Sequence, residues 1–187
     1  MLITGGSGSF GQVAVPVAKA MGLEVIVTGS GRVREEFLAM GADRYIDYKT
    51  ENYWETVSGV DHVIDTLGAE EFEHELSVLK EGGRLLSLRT GPNQAFAMKN
   101  HFPPAKRALF AMAGAKYDKA ARKQGKEYRF LFVRSDGEQL KTITDIVEKF
   151  HIAPTIDPHV FSLDRAGEAL KLMAQGVTQG KVILRVL

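Results

Sequence analysis

The chain has 187 residues, 44% of them hydrophobic, which suffices for one compact domain with a substantial core but leaves no room for a second full domain. Its formal net charge of +1 gives no electrostatic reason to expect nucleic acid or a membrane surface as a partner, and no apolar stretch reaches the length of a membrane span. The absence of cysteine excludes disulfides, thiolate zinc sites and cysteine nucleophiles. Because no secretory leader pattern is present either, we expect a cytoplasmic protein.

A glycine-rich turn follows the first apolar run of the chain. Gly6, Gly8 and Gly11 have the G-x-G-x-x-G spacing, with apolar residues 2–3 before them and an apolar helical face after them. Glycine permits a tight turn and a close approach of the backbone to a pyrophosphate, and the N-terminus of a helix offers unpaired N–H groups to an anion. The pattern predicts a strand, a dinucleotide-binding turn and a helix, in which Pro16 is expected to produce a kink near Gln12.

Short apolar runs then alternate with segments of helical periodicity. Continuous apolar runs predict strands that are buried on both faces, which is typical of a parallel sheet covered by helices. Further strands are predicted at residues 25–27, 45–46, 60–64, 85–86 and 130–133. The predicted fold class is therefore α/β, a doubly wound parallel sheet of the Rossmann dinucleotide-binding type. We expect Gly22, Gly41, Gly82 and Gly83 to cap helix C-termini.

The end of the second predicted strand carries the information on cofactor choice. NAD enzymes commonly place an acid here on the ribose 2′-hydroxyl, but residues 28–34 contain none, and the first is Glu35. The Ser30 hydroxyl and the Arg32 guanidinium can bind a 2′-phosphate, so this segment favours NADP. In the alternative interpretation, Arg32 and Arg34 belong to the solvated first turn of a helix.

Four stretches carry a resemblance to a known family: the glycine turn, residues 40–48, residues 63–68 with 79–85, and residues 161–184. With them the chain resembles the cofactor-binding part of the medium-chain dehydrogenase/reductase superfamily, especially its NADPH quinone oxidoreductase and zinc-type alcohol dehydrogenase-like members. The resemblance implies a Rossmann NADP-binding domain at 1–150, and a segment at 151–187 that in the family returns to an N-terminal GroES-like substrate domain, which we expect this chain to lack. It implies hydride transfer between nicotinamide and a small carbonyl, alcohol, quinone or enone.

The resemblance also implies roles for single residues. It assigns Gly8, Ser9 and Phe10 to the pyrophosphate, Ser30 and Tyr48 to the adenosine phosphate, Leu67, Gly68 and Leu88 to the border of the ribose and nicotinamide, and Phe132 to the nicotinamide. Two positions depart from the family pattern. Ser9 replaces a glycine usual in the turn, and Val33 stands where quinone reductases often carry a phosphate-binding lysine, so Arg32 or Arg34 would have to replace that charge. The resemblance identifies no catalytic residue.

Two other functions fit parts of the sequence. The turn also resembles the T-G-x-x-G-x-x-G turn of extended short-chain dehydrogenases, and Tyr45 and Lys49 have the spacing of their Tyr-x-x-x-Lys pair. That pair falls in a predicted strand, where the spacing does not place both side chains as it would on one face of a helix. A non-catalytic NADPH-binding partner or sensor is the other alternative.

The remaining polar residues indicate no further chemistry. The histidines at 62, 74, 101, 151 and 159 lack metal-ligand spacing, so we predict no metal site. Glu70, Glu71, Glu73 and Glu75 are predicted to form the solvated face of a helix. The basic stretch 99–129 is interpreted as a helical insertion with solvated charges rather than a nucleic-acid site.

The predicted edge strand and the tail suggest self-association. A hydrophobic strand at 130–133 with one unpaired edge favours pairing with a second copy, and a symmetric pairing closes that edge. The tail contains an apolar helical stripe at residues 166, 169, 170 and 173 and a last apolar strand at 182–186. The apolar surfaces of this helix and strand must be covered by each other or by a partner chain. We expect a homodimer.

Overall fold

A computed structural model describes residues 1–176, 178 and 180–186. The strands are β1 (Leu2–Thr4), β2 (Ile26–Gly29), β3 (Arg44–Asp47), β4 (Val60–Asp65), β5 (Leu79–Ser87), β6 (Glu127–Phe130), β7 (Ile156–Ser162) and β8 (Lys181–Arg185). The helices are α1 (Gly11–Ala20), α2 (Arg34–Ala39), α3 (Tyr53–Thr56), α4 (Phe72–Ser77), α5 (Gln94–Lys99), α6 (Pro104–Lys123), α7 (Gly137–Lys149) and α8 (Ala166–Ala174). Single 3₁₀ turns precede α2 and α8.

The main sheet has six parallel strands in the order β3-β2-β1-β4-β5-β6. The predicted doubly wound sheet is confirmed. The chain builds outward from β1 to β3 on one side and then crosses to β4 on the other. Connections therefore diverge at β1 and β4, and in such sheets ligands bind in the crevice at the carboxyl ends of those strands.

The two faces of the sheet carry separate cores. Leu2 and Ile46 belong to the cluster that includes side chains of α3, α4 and α6, whereas their neighbours Ile3 and Tyr45 belong to the cluster that includes side chains of α1 and α2. Consecutive strand residues point to opposite faces, so an unbroken apolar strand fills both cores. This is why the strands read as continuous hydrophobic runs.

The predicted strand at 130–133 is wrong. The sixth strand is β6, in which Glu127 and Arg129 alternate with Tyr128 and Phe130, and it pairs with β5 from Arg84–Glu127 to Ser87–Phe130. The backbone N–H of Leu131 still bonds to Ser87, but residues 131–133 lie outside the strand and are exposed. The apolar run follows the strand because β5 ends at Ser87 and offers no further partner.

The predicted caps are correct for two glycines and wrong for two. Gly22 and Gly41 follow α1 and α2 with φ of +80° and +102°, and each N–H bonds back into the preceding helix. Gly82 and Gly83 cap no helix, because α4 already ends at Ser77 and both lie within β5. Pro16 lies inside α1, which the structure assigns as one helix of ten residues.

The predicted helical insertion at 99–129 is confirmed over α6, whereas its last residues, 127–129, belong to β6. The tail forms a unit of its own, in which β7 and β8 pair in parallel and α8 connects them. Its apolar stripe is only partly covered, because Ala169 is buried whereas Leu170 and Met173 are more than half exposed. Within the described part of the chain, no helix has the length and apolar character needed to cross a bilayer.

The close contact between the turn and α1 yields a stability prediction. A Cβ on Gly11 would overlap the carbonyl oxygen of Gly6, whereas a Cβ on Gly8 would meet no atom of the described residues within 4 Å. Gly11→Ala should therefore lower the free energy of unfolding by about 1–3 kcal/mol, because the backbone has to shift to admit the methyl group. Chemical denaturation measures this, with Gly8→Ala as the matched control that should stay near the wild type. Equal stability of the two variants would contradict the contact.

Candidate functional site

The glycine turn is anchored to the neighbouring strand at the switch point of the sheet. The backbone N–H of Gly5 donates to Thr28 Oγ1 at 3.0 Å, and that of Gly6 donates to the Thr28 carbonyl at 2.9 Å. Gly5 has a φ of +62°, which favours glycine, and a Cβ there would lie 2.5 Å from the Leu67 side chain. The turn therefore leaves β1 on a fixed path and crosses the carboxyl end of the sheet.

A cleft of about 620 Å³ opens beside this turn. Its described lining comes from the turn, the end of β2 with the start of α2, and the C-terminal segment: Ser7, Gly8, Ser9, Gln12, Ser30, Arg32, Val33, Glu36, Thr155, Gly176, Thr178 and Gly180. Four predicted site residues, Gly8, Ser9, Ser30 and Arg32, thus converge on one cavity. Gly6 and Gly11 are buried beneath the turn and shape it, while the partly exposed Phe10 precedes α1 and lines a neighbouring apolar groove.

Three further predicted residues meet at the ends of β4 and β5. The backbone N–H groups of Leu67 and Gly68 each donate to Asp65 Oδ1 at 2.7 Å, and that of Leu88 donates to the Asp65 carbonyl at 3.0 Å. Gly68 has a φ of +108°, which explains the glycine. These residues form a second part of the site, on the other side of the turn from the cleft.

The structure does not bring Tyr48 and Phe132 into the cleft lining. Tyr48 follows β3 and its side chain is 60% exposed, although its N–H donates to the Gly29 carbonyl at the end of β2. Phe132 follows β6 and its side chain is 74% exposed. Both lie on irregular segments, where sequence order does not fix the direction of a side chain.

Carboxylates near Arg32 were missed by the sequence analysis. Glu36 lines the cleft, where Thr155 donates to its Oε1 at 2.5 Å and Gln12 at 3.4 Å. Asp47 ends β3 opposite Gly29, and a Cβ on Gly31 would overlap its carboxylate. The signal for Asp47 was its place at the end of β3, because the carboxyl ends of parallel strands meet at one edge.

A cation from the tail was also missed. Lys181, the first residue of β8, donates from Nζ to the carbonyl oxygen of Ser9 at 3.3 Å. Lys181 and Ser9 are 172 positions apart, so periodicity gives no sign of this contact. It adds a positive charge beside the glycine turn.

The Tyr45 and Lys49 spacing produces no acid–base pair. Tyr45 is buried in β3, its hydroxyl donates to the Ser30 carbonyl at 2.7 Å, and burial raises its pKa to about 12. Lys49 lies in the exposed turn after the strand. Tyr45 therefore holds the end of β2 in place, which the short-chain dehydrogenase interpretation did not anticipate.

The predicted solvated face of α4 is wrong at one position. Glu70 and Glu73 are exposed, but Glu75 is fully buried because it lies three residues after Phe72, on the helical face that packs against the sheet. Thr4 donates to its Oε1 at 2.6 Å. Burial, followed by the negative charge of Asp65, raises the pKa of Glu75 to about 8.

The strand order, with a glycine turn at the switch point, defines an α/β protein of the dinucleotide-binding type. The profile of the family described as zinc-binding dehydrogenase matches residues 40–184. The chain belongs to this family. Within the described residues, no group of three or more histidines and acids is placed to hold a metal ion.

Similar proteins are oxidoreductases by name. A mitochondrial NAD(P)H oxidoreductase of Danio rerio is 28% identical over 192 residues, which cover 100% of this chain and 49% of that protein. A 2-methylene-furan-3-one reductase of Solanum lycopersicum is 29% identical over 187 residues, covering 98% of this chain and 39% of that protein. The chain thus spans about half or less of the length of these relatives.

Solved structures show the same fold. The quinone oxidoreductase of Coxiella burnetii superposes with a TM-score of 0.76 at 25% identity, covering 100% of this chain and 52% of that one. The quinone oxidoreductase of Thermus thermophilus, described with its NADPH complex, gives a TM-score of 0.70 at 24% identity and covers 99% of this chain and 57% of that one. The expected resemblance to dehydrogenases and reductases is confirmed.

The buried Glu75 carboxyl should make the free energy of unfolding depend on pH. Folding raises its pKa from 4.5 to about 8, so between these pH values the folded protein holds a proton that the unfolded chain has lost. The protonated Glu75 therefore makes its full contribution to the free energy of unfolding at acidic pH. As pH rises toward 8 this contribution is lost, and the free energy of unfolding falls by on the order of a few kcal/mol. Denaturation series across this range should show a weaker pH dependence for Glu75→Gln than for the wild type. The exposed Glu73→Gln is the control, and parallel curves for Glu75→Gln and wild type would contradict the assignment.

Proposed function

We propose that this chain binds NADP(H) at the switch point of its sheet and is the cofactor-binding unit of an oxidoreductase. The observation that supports this most directly is the convergence of Gly8, Ser9, Ser30 and Arg32 on one cleft. The names of similar proteins, an NAD(P)H oxidoreductase and a 2-methylene-furan-3-one reductase among them, support the same class of reaction. The substrate is then a small carbonyl, alcohol, quinone or enone, and the bound nicotinamide supplies the hydride chemistry.

The proposed pyrophosphate site is the turn at Gly8, Ser9 and Phe10. Gly8 is exposed, and no atom of the described residues lies within 4 Å of the position of its missing Cβ, so its backbone is open to a ligand. The ten-residue helix α1 begins directly after the turn, and a helix N-terminus attracts anions through its free N–H groups and its dipole. Lys181 adds a cation on the tail side.

The proposed adenosine site is formed by Ser30, Arg32 and Tyr48. We propose NADP rather than NAD, because a 2′-phosphate matches the exposed guanidinium of Arg32, which has no ion-pair partner in the described part of the chain. Glu36 and Asp47 act in the opposite direction, since carboxylates repel a phosphate and can accept hydrogen bonds from ribose hydroxyls. The preference for NADP is therefore predicted to depend on Arg32.

The proposed site for the nicotinamide half of the cofactor comprises Leu67, Gly68 and Leu88, with Phe132 at its rim. The hydrogen bonds of Asp65 bring the first three together at the ends of β4 and β5. These residues would hold the ring and ribose in place and exclude water on one side.

The proposed division of the chain places the NADP-binding domain at 1–150 and the segment that in the family returns to the substrate domain at 151–187. The separate sheet of β7 and β8 supports this boundary. We also propose a homodimer formed through the free edge of β6, next to the exposed apolar residues 131–133. A cytoplasmic location, with neither nucleic acid nor a membrane as a partner, completes the proposal.

Substitution at Gly8 tests the cofactor site. Gly8→Asp would place a side chain and a negative charge where the pyrophosphate is proposed to lie, so NADPH binding should fall by at least about a hundredfold, while stability stays near the wild type. Isothermal titration with NADPH measures the affinity, and thermal denaturation shows whether the variant is folded.

Gly8→Asn is the isosteric neutral control and should lose less affinity than Gly8→Asp. If Gly8→Asp folds and binds NADPH as the wild type does, the phosphate site lies elsewhere. Oxidation of NADPH by a quinone, followed by absorbance, then separates an enzyme from a non-catalytic NADPH-binding partner, which would bind the cofactor without turnover.

Substitution at Arg32 tests the preference for NADP. Arg32→Ala should weaken NADPH binding by about 1–3 kcal/mol and leave NADH binding nearly unchanged, because only NADPH carries the 2′-phosphate. Titration of each variant with both cofactors gives the comparison. Arg122→Ala, which removes an exposed arginine of α6 outside the cleft lining, is the matched control. Equal losses for the two cofactors would remove Arg32 from the phosphate site.

A further inference from the structure

The Asp65 side chain holds together the two loops that follow β4 and β5. Its Oδ1 accepts from the backbone N–H groups of Leu67 and Gly68, both at 2.7 Å. Its Oδ2 accepts from Ser87 Oγ at 2.5 Å and from Thr90 Oγ1 at 2.8 Å. Four donors on one fully buried carboxylate compensate its desolvation, and each of them belongs to one of these two loops or to the strand end that leads into it.

Ser87 extends this network into the second loop. Its hydroxyl oxygen accepts from the backbone N–H groups of Arg89 at 3.1 Å and Thr90 at 2.8 Å. The backbone from 87 to 90 is therefore positioned by Ser87, and Ser87 by Asp65. Any change in the charge around Asp65 acts on both loops together.

Glu75 is a second buried carboxyl beside Asp65. It reaches in from α4, is fully buried, and receives one hydrogen bond, from Thr4 to Oε1. Its Oε2 is buried and has no hydrogen-bond partner of good geometry among the described residues. A charged carboxylate with an unpartnered buried oxygen, next to a second carboxylate, is unfavourable.

Among the described residues, the groups around Glu75 include no compensating cation. Asp65 faces it from β4 and Glu71 from the position directly before α4, and both charges raise the pKa of Glu75. Tyr53 of α3 is close enough to be influenced by Glu75, and Tyr128 of β6 by Asp65, but burial raises the pKa of both phenols so that they stay neutral. His74 on α4 stacks on Trp54 and lies near Glu71. The pair therefore holds one negative charge stably and not two.

We propose that Glu75 is a positioning residue that works in its protonated form, so that the pair carries one negative charge, on Asp65, which fixes the loops at 67–68 and 87–90. The role in cofactor binding rests on the proposed function, which assigns Leu67, Gly68 and Leu88 to the nicotinamide half. Loss of the Glu75 proton places a second negative charge against Asp65. The loops then lose their fixed arrangement, and the nicotinamide half of the cofactor loses its support.

The proposed role of Glu75 predicts that binding of the nicotinamide half of the cofactor depends on pH, whereas binding of the adenosine half does not. If only the form protonated at Glu75 binds productively, the apparent dissociation constant for NADPH rises with the fraction of protein that has lost the proton. For a group with a pKa of about 8, the affinity should fall about tenfold between pH 7 and pH 9. The adenosine half contacts the cleft on the other side of the turn and should not follow this change.

The experiment compares two ligands and three proteins across this pH range. NADPH probes both halves of the site, and 2′,5′-ADP probes the adenosine half alone. Wild type, Glu75→Gln and the exposed control Glu73→Gln are titrated with each ligand. Glu75→Gln keeps the shape of the side chain and stays neutral. The N-terminal amine, whose pKa burial lowers, is the same in all three proteins and cancels in the comparison.

The expected result is that NADPH affinity falls with pH in wild type and Glu73→Gln, stays flat in Glu75→Gln, and that 2′,5′-ADP affinity varies alike in all three. The inference is overturned if Glu75→Gln retains the pH dependence of the wild type, or if the wild type has none.

A readout without cofactor separates this inference from the proposed function. In the free wild-type protein, the backbone amide resonances of Leu67 and Gly68 should shift with pH along one titration curve near pH 8. The same resonances should not titrate there in Glu75→Gln. Amides that stay fixed in the wild type overturn the positioning role. If neither ligand binds any of the proteins at any pH, the proposed function fails, and the amide titration still decides the role of Glu75.

Discussion

Strand β1 is the constraint on which the rest of the structure depends. It has three residues, and it is paired in parallel on both sides, with β2 through Leu2–Ile26 and with β4 through Leu2–Val63. Leu2 points into one core and Ile3 into the other, and both are fully buried. Because the helical connections diverge at this strand, the turn after it has to cross the open carboxyl end of the sheet. The glycine turn and both groups of predicted site residues are arranged around that crossing.

Charges of both signs lie beside the turn at the carboxyl end of the sheet. The outer part of the site combines the exposed Arg32 and the tail residue Lys181 with the carboxylates of Glu36 and Asp47. Solvent screens these charges, so they contribute little to the stability of the fold. Beneath the turn, Asp65 and Glu75 are fully buried, where charges are screened much less. The chain therefore has solvent-exposed charges on one side of the turn and two fully buried carboxyl groups on the other.

Several parts of the site could be read from the sequence because they depend on local geometry. The spacing of Gly6, Gly8 and Gly11 follows from steric limits at one turn, and the structure shows the close approach of Gly11 to Gly6 that the spacing implies. The places of Ser30 and Arg32 in the cleft follow from their position directly after β2. Tyr48 and Phe132 were harder to place, because both lie on irregular backbone beyond the end of a strand.

The sequence by itself determined the fold class, the order of alternating strands and helices, and the turn at the switch point, because apolar periodicity and glycine spacing reflect contacts within a few residues of each other. Only the tertiary structure decided which acidic side chains are buried and which lie near the predicted site residues. The sequence predicts that Glu75 is solvated, but packing of α4 against the sheet buries it beside Asp65. Pairing of β3 with β2 places the Asp47 carboxylate beside Gly31. The contact of Lys181 with Ser9 joins residues from opposite ends of the chain. The burial and charge environment of a carboxyl are set by residues distant in sequence, and periodicity carries no information about them.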